Sequence, residues 1–144
     1  MSAKSAVFIS TSAAETRAHA ARFVADAHAG MVVRLHGDLG AGKTTWLQGL
    51  VAALGSGEAV TSPTFALLHE YRAGRLAVFH WDLYRLGADT DWTLLDLPEH
   101  LPAGAALTVI EWPERYPGPW PADCWDIYIT VSGGERREIE VSRP

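Results

Sequence analysis

The run Gly37-Asp38-Leu39-Gly40-Ala41-Gly42-Lys43-Thr44 sets glycines, one lysine and one threonine at the spacing G-x-x-x-x-G-K-[ST]. That spacing serves the polyphosphate of a nucleoside triphosphate. The glycines let successive backbone N–H groups turn inward without Cβ clashes. Lys43 is placed to reach the β and γ oxygens, and the Thr44 hydroxyl to bind Mg²⁺. The helix that should follow adds its positive N-terminal end. Asp38, Gly40, Ala41, Gly42, Lys43, Thr44 and Thr45 are therefore expected to hold the nucleotide, with ATP and Mg²⁺ as the ligands. Lysine usage sharpens the point, because Lys4 and Lys43 are the only lysines in the chain.

Hydrolysis also needs a carboxylate near the metal and a group that positions water. Glu111 ends the apolar run Leu107-Thr108-Val109-Ile110, so it reads as a Walker B-like carboxylate acting on Mg²⁺ directly or through water. Asp82 follows Val78-Phe79-His80-Trp81 and is open to two readings, a second catalytic carboxylate or a helix N-cap. Lys43, Asp82 and Glu111 form the expected catalytic set, and Thr44 and Glu111 the expected metal ligands. Thr61, Ser62 and Thr64 offer hydroxyls that either sense the γ-phosphate or make a turn. Trp112 follows Glu111 and is expected beside the nucleotide. The histidines show no metal spacing and read as structural; His19 and His28 are expected on opposite sides of one helix. The lone Cys124 reads as core.

These groups need strands and helices to hold them. Val7-Phe8-Ile9 is a strand candidate. Ser12-Ala13-Ala14-Glu15 is a capping box, opening a helix whose stripe Thr16, Ala20, Phe23, Val24, Ala27 runs to Gly30. Met31–Leu35 is a buried strand before the phosphate loop. Leu47, Leu50, Val51 and Leu54 recur at helical spacing after it, with Gly55 at the C-terminus. Phe65–Tyr71 and Leu76–Trp81 read as a hairpin around Ala73-Gly74. Asp89–Leu101 is a helix candidate broken by Pro98. Pro113–Pro121 carries four prolines and is expected to be a loop. Alternating Trp125, Ile127, Ile129 and Val131, a Gly133-Gly134 turn and Arg137–Val141 make a C-terminal hairpin. The fold expected is α/β, a P-loop NTPase-type three-layer sandwich with a mixed central sheet. It would form one domain over residues 1–144, with its ligand at the carboxyl ends of the parallel strands.

Bulk properties narrow the classes. The chain has 144 residues, 48% of them hydrophobic and 20% charged, with net charge −5. An acidic balance argues against a primary nucleic-acid binder and against DNA as a partner. No apolar run reaches membrane-spanning length, and Met1–Ser5 lacks a signal-peptide core, so the expected location is the cytoplasm.

Four segments together carry a resemblance: G-D-L-G-A-G-K-T-T (37–45), S-P-T-F (62–65), H-W-D-L-Y-R-L (80–86) and I-E-W-P-E-R (110–115). In order and spacing they resemble the bacterial TsaE (YjeE) family. Those are small P-loop ATPases of tRNA threonylcarbamoyladenosine biosynthesis. The resemblance implies an ATPase that is feeble alone and works with TsaD and TsaB. TsaD joins an activated threonylcarbamoyl group to adenosine, TsaB is its dimerising partner, and ATP turnover resets the complex. It implies Mg²⁺ on Thr44 and Glu111, support of hydrolysis by Asp82, Arg137 near the nucleotide and the Thr11 stretch near the base. tRNA would be reached indirectly, through the complex. The segment Asp89–Pro98 departs from the family pattern because it lacks a glycine.

Two other readings use the same loop. A small-molecule P-loop kinase would need an acceptor-binding insert and an arginine-bearing lid, for which the chain leaves little room. A nucleotide-gated interaction module would use occupancy rather than turnover. A GTPase is disfavoured, since neither lysine sits in an [NT]-K-x-D element.

Overall fold

The structure is a computed structural model that describes residues 5–60 and 67–144. Seven strands form one sheet: β1 (Ser5–Ser10), β2 (Val32–His36), β3 (Leu68–Tyr71), β4 (Ala77–Asp82), β5 (Ala106–Glu111), β6 (Cys124–Gly133) and β7 (Arg136–Ser142). Their order is β1-β7-β6-β2-β5-β4-β3. β6, β2, β5 and β4 run parallel, and antiparallel pairs close both edges. The sheet is thus mixed, as expected, and both expected hairpins, β3–β4 and β6–β7, are formed. β5 is buried along its whole length, which suits an apolar strand in the middle of a parallel set.

Two α-helices lie on one face. α1 (Ala13–Phe23) starts at Ser12, whose Oγ accepts from the Glu15 N–H at 3.1 Å. The capping box is not reciprocal, because the Glu15 carboxylate accepts from the amide and hydroxyl of Thr11 instead, each at 2.6 Å. α1 also ends earlier than Gly30. A 3₁₀ turn at Val24–Asp26 follows, and Ala27 is already extended. The chain must leave the helix axis there, since the Gly30 N–H donates to the Ala106 carbonyl at 2.9 Å. His28 consequently lies outside the helix that carries His19.

α2 (Lys43–Ala53) buries Trp46, Leu47, Leu50 and Val51, the face its periodicity marks. The helices meet at Gly49, where a Cβ would stand 2.3 Å from the Arg17 carbonyl oxygen. Only glycine allows that approach. Both helices close a core on β2, β5, β6 and β7 that includes Val33, Leu35, Val109, Ile127 and Ile139.

The other face carries a smaller core of Val32, Trp81, Leu83, Leu97, Ile110, Tyr116 and Cys124. Cys124 is buried there, as read. This third layer is not α-helical. The helix expected over Asp89–Leu101 is replaced by 3₁₀ turns at Trp92–Leu94 and Pro98–His100. Asp91 accepts from the amide and hydroxyl of Thr93, which ties the first turn down locally. Asp96 takes a left-handed φ of 59°, the conformation glycine favours, and that interrupts any continuous helix. Trp92 then packs edge-on against Tyr116, with ring centroids 5.0 Å apart. The proline-rich loop opens with a 3₁₀ turn at Pro113–Arg115.

Candidate nucleotide-binding site

β2, β4 and β5 are parallel, so their carboxyl ends lie together at one end of the sheet. β2 delivers the phosphate loop, β5 ends at Glu111 and β4 at Asp82. Gly42 sits at the N-cap of α2 with φ 114°, a left-handed conformation that glycine adopts at little cost and residues with a Cβ do not. The Arg137 Nε donates to the Ala41 carbonyl at 2.8 Å, tying β7 to the loop. Thr11 follows Ser10, which pairs with Arg137 across β1 and β7. Its hydroxyl is engaged by Glu15.

Lys43 opens α2 and is only 5% exposed. Its Nζ has no hydrogen-bond partner among the described residues. It lies 3.9 Å from the centroid of the Trp112 ring, a cation–π contact. Burial pushes the Lys43 ammonium below its ordinary pKa, against the pull of Glu111, Asp82, Glu114 and Asp38. An ammonium taken from water and given no acceptor is costly, and a phosphate oxygen would supply what is missing.

The register places the carboxylates. Asp82 pairs with Glu111 across β4 and β5. Both side chains share the helix-bearing face, as does His80 two residues earlier. Glu111 is 4% exposed, and its Oε1 stands 3.5 Å from the His80 Nε2, beyond a well-formed hydrogen bond. Burial would raise the Glu111 carboxyl, but His80, Lys43 and Asp82 outweigh it and hold it below its ordinary value. Asp82 moves the opposite way. Burial raises it and the Glu111 charge adds to that, while the Tyr84 N–H, His80 and Lys43 only partly oppose. Of this adjacent pair, Glu111 gives up its proton more readily and Asp82 less readily than an ordinary carboxyl. Asp82 also accepts from the Tyr84 N–H at 3.0 Å.

Trp112 holds φ 55° and ψ 49°. A left-handed bulky residue is strained, and such strain is stored where surroundings impose it. Here the indole lies against the Lys43 ammonium, and the Tyr84 ring centroid is 5.0 Å from that of Trp112.

The structure therefore brings Gly40–Thr45, Asp82, Glu111, Trp112 and Arg137 to one end of the sheet, with Asp38 exposed on the loop and Thr11 at its border. Thr61, Ser62 and Thr64 lie outside the described residues. Sequence reading missed His80 and Tyr84. Alternation along β4 could have found His80, since residues two apart share a face. The donor set also suits magnesium. Mg²⁺ is normally held by one or two carboxylates or hydroxyls plus substrate phosphates. Thr44 and Glu111 fit that role, and among the described residues no ready-made cluster of three or more His, Cys, Asp or Glu forms a closed cage.

The family model for the threonylcarbamoyl adenosine biosynthesis protein TsaE matches residues 10–139. The chain belongs to the TsaE family. The span reaches from the end of β1 into β7 and takes in every site residue from Thr11 to Arg137. The tRNA threonylcarbamoyladenosine biosynthesis protein TsaE of Bacillus subtilis is 38% identical over 125 residues, covering 87% of this chain and 77% of that protein. Its Treponema pallidum counterpart is 42% identical over 113 residues, covering 78% and 82%. The crystal structure of Bacillus subtilis YdiB superposes with a TM-score of 0.81 at 29% identity, covering 99% of this chain and 88% of that one. This TsaE family chain has the α/β fold of a P-loop NTPase, and its family acts in tRNA threonylcarbamoyladenosine biosynthesis. Among the described residues no helix is long and apolar enough to cross a membrane.

Proposed function

We propose that this chain binds MgATP and hydrolyses it in the cytoplasm as the ATPase subunit of threonylcarbamoyladenosine formation, together with TsaD and TsaB. One observation carries the reading. Lys43 is buried behind a glycine loop at a helix N-terminus, without a hydrogen-bond acceptor, facing Glu111 and Asp82. A polyphosphate completes that arrangement, whereas a purely structural lysine would be paired or exposed.

In this mechanism the backbone N–H groups of Gly40–Thr45 cradle the phosphates, and Lys43 neutralises the β and γ oxygens. Thr44 and Glu111 would hold Mg²⁺. A magnesium ion held there would supply positive charge to offset that of the phosphates. Asp82, its carboxyl raised by burial and by its neighbour, orients the attacking water and takes its proton. Arg137 keeps the Ala41 peptide fixed so that the loop amides face inward. tRNA meets the assembled complex rather than this acidic chain alone.

Hydrolysis of ATP by the purified protein tests the reading, measured with Mg²⁺ alone and then with the TsaD–TsaB pair of the same organism. Slow turnover that the pair stimulates strongly is the expected result. Nucleotide binding with no hydrolysis in either case would remove the ATPase role and favour a nucleotide-gated module.

A further inference from the structure

Four described histidines are anchored, and of the other two, His69 is partly exposed and His80 is buried. His19, His28, His36 and His100 each hold a hydrogen bond of 2.7 to 3.0 Å. His80 is 1% exposed, yet neither Nδ1 nor Nε2 has a hydrogen-bond partner among the described residues. A buried imidazole without an anchor is unusual, because most buried polar atoms are satisfied. Its near polar neighbour is a metal-binding candidate. The His80 Nε2 stands 3.5 Å from Glu111 Oε1, an oxygen that is itself without a hydrogen bond. Backbone register makes this contact no accident of rotamers. His80 pairs with Val109 and Asp82 with Glu111, so His80 and Glu111 are diagonal neighbours on one face.

We propose that His80 is a positioning residue for Glu111. Its Nε2–H is aimed at Oε1, fixes the carboxylate rotamer and leaves Oε2 for the magnesium ion or its water. The inference rests on the MgATP reading above. Its physical basis is general: outer partners that orient a ligating carboxylate control metal affinity, and their loss typically costs about 10- to 100-fold. A closing movement of under about 1 Å would bring the contact into ordinary hydrogen-bond range. A merely space-filling histidine would not need its Nε2 on that oxygen.

The test uses the full chain and three substitutions. Gln reproduces the reach of Nε2–H, Asn is a donor one bond shorter, and Leu has none. The readouts are Mn²⁺ affinity of the ADP-loaded protein by electron paramagnetic resonance, ADP affinity without metal, and kcat against KM for ATP. His80→Leu and His80→Asn should weaken Mn²⁺ affinity and kcat by about 10- to 100-fold while metal-free ADP affinity and KM hold. His80→Gln should recover most of the loss. Equal Mn²⁺ affinity in all four proteins would overturn the inference, as would equal damage in Gln, Asn and Leu with ADP affinity lost. If His80→Leu does not fold, the Gln-against-Asn difference decides. A wild type without hydrolysis would overturn the ATPase reading alone, since Mn²⁺ affinity still reports on His80.

Discussion

Two charged clusters share the central strands and sit on opposite faces of the sheet. On the turn-covered face, Asp126 accepts two hydrogen bonds from Arg34, from Nε and from Nη2, each at 2.8 Å. It also meets the His36 Nε2 at 2.7 Å. The Arg34 guanidinium lies 5.1 Å from the Trp120 centroid, and His36 stacks on Tyr128 at 4.3 Å. On the helix-covered face, Lys43 Nζ, both His80 nitrogens and Glu111 Oε1 are buried with no hydrogen bond among the described residues. The first cluster is closed on itself and holds β2 to β6. The second lacks such internal pairing among the described residues. Satisfaction, more than burial or charge, separates a structural network from a site.

The largest effect should come from the open cluster. Lys43→Ala should weaken ATP binding about 100-fold or more, roughly 3 kcal/mol for charged hydrogen bonds lost, by titration calorimetry. It should not lower folding stability, because the folded environment already disfavours the Lys43 charge. The closed cluster should behave in the reverse way. Asp126→Ala strands Arg34 and should cost about 2 kcal/mol in urea unfolding. ATP affinity, once corrected for folded fraction, should change far less. Equal destabilisation by the two substitutions would break the contrast between the clusters.

The two clusters were not equally legible in the chain. Lys43 was readable because loop, charge and helix lie within a dozen residues, and local pattern decides local structure. α2 followed from the same logic, its apolar period being strong. Arg34 and Asp126 are 92 residues apart, so their pairing exists only through the β2–β6 register. His80 looked scattered for the same reason; alternation gives its face, but only β4–β5 pairing sets it against Glu111. The segment 89–101 read as a helix candidate broken by Pro98. Tertiary packing of Trp92 on Tyr116, the Asp91–Thr93 turn and the left-handed Asp96 overrode that reading. The mixed sheet was readable from hairpins at the ends and apolar strands between, whereas the strand order was not. Thr61–Thr64 remain a sequence argument, since they lie outside the described residues.

The smallest effect discriminates most sharply among the carboxylates. Asp126 and Glu111 are both held below their ordinary values. Burial pulls each upward but loses to His36 and Arg34 in one case and to His80 and Lys43 in the other. A lowered folded value means a contribution that is present above the unfolded pKa and lost as pH falls through the folded one. Asp82 carries the opposite sign, raised by burial and by Glu111. Its contribution is complete below the unfolded value and declines as pH rises through the folded value. Asp82→Asn should therefore stabilise the protein at pH 7 by no more than about 0.5 kcal/mol, since partial exposure to solvent screens the interaction. The gain should shrink towards pH 4 in urea midpoints taken across that range. Glu111→Gln and Asp126→Asn should instead destabilise at pH 7 and approach wild type on acidification. If Asp82→Asn followed those two, Asp82 would not be the carboxylate of raised pKa, and its assignment as the base beside Glu111 would fall with it.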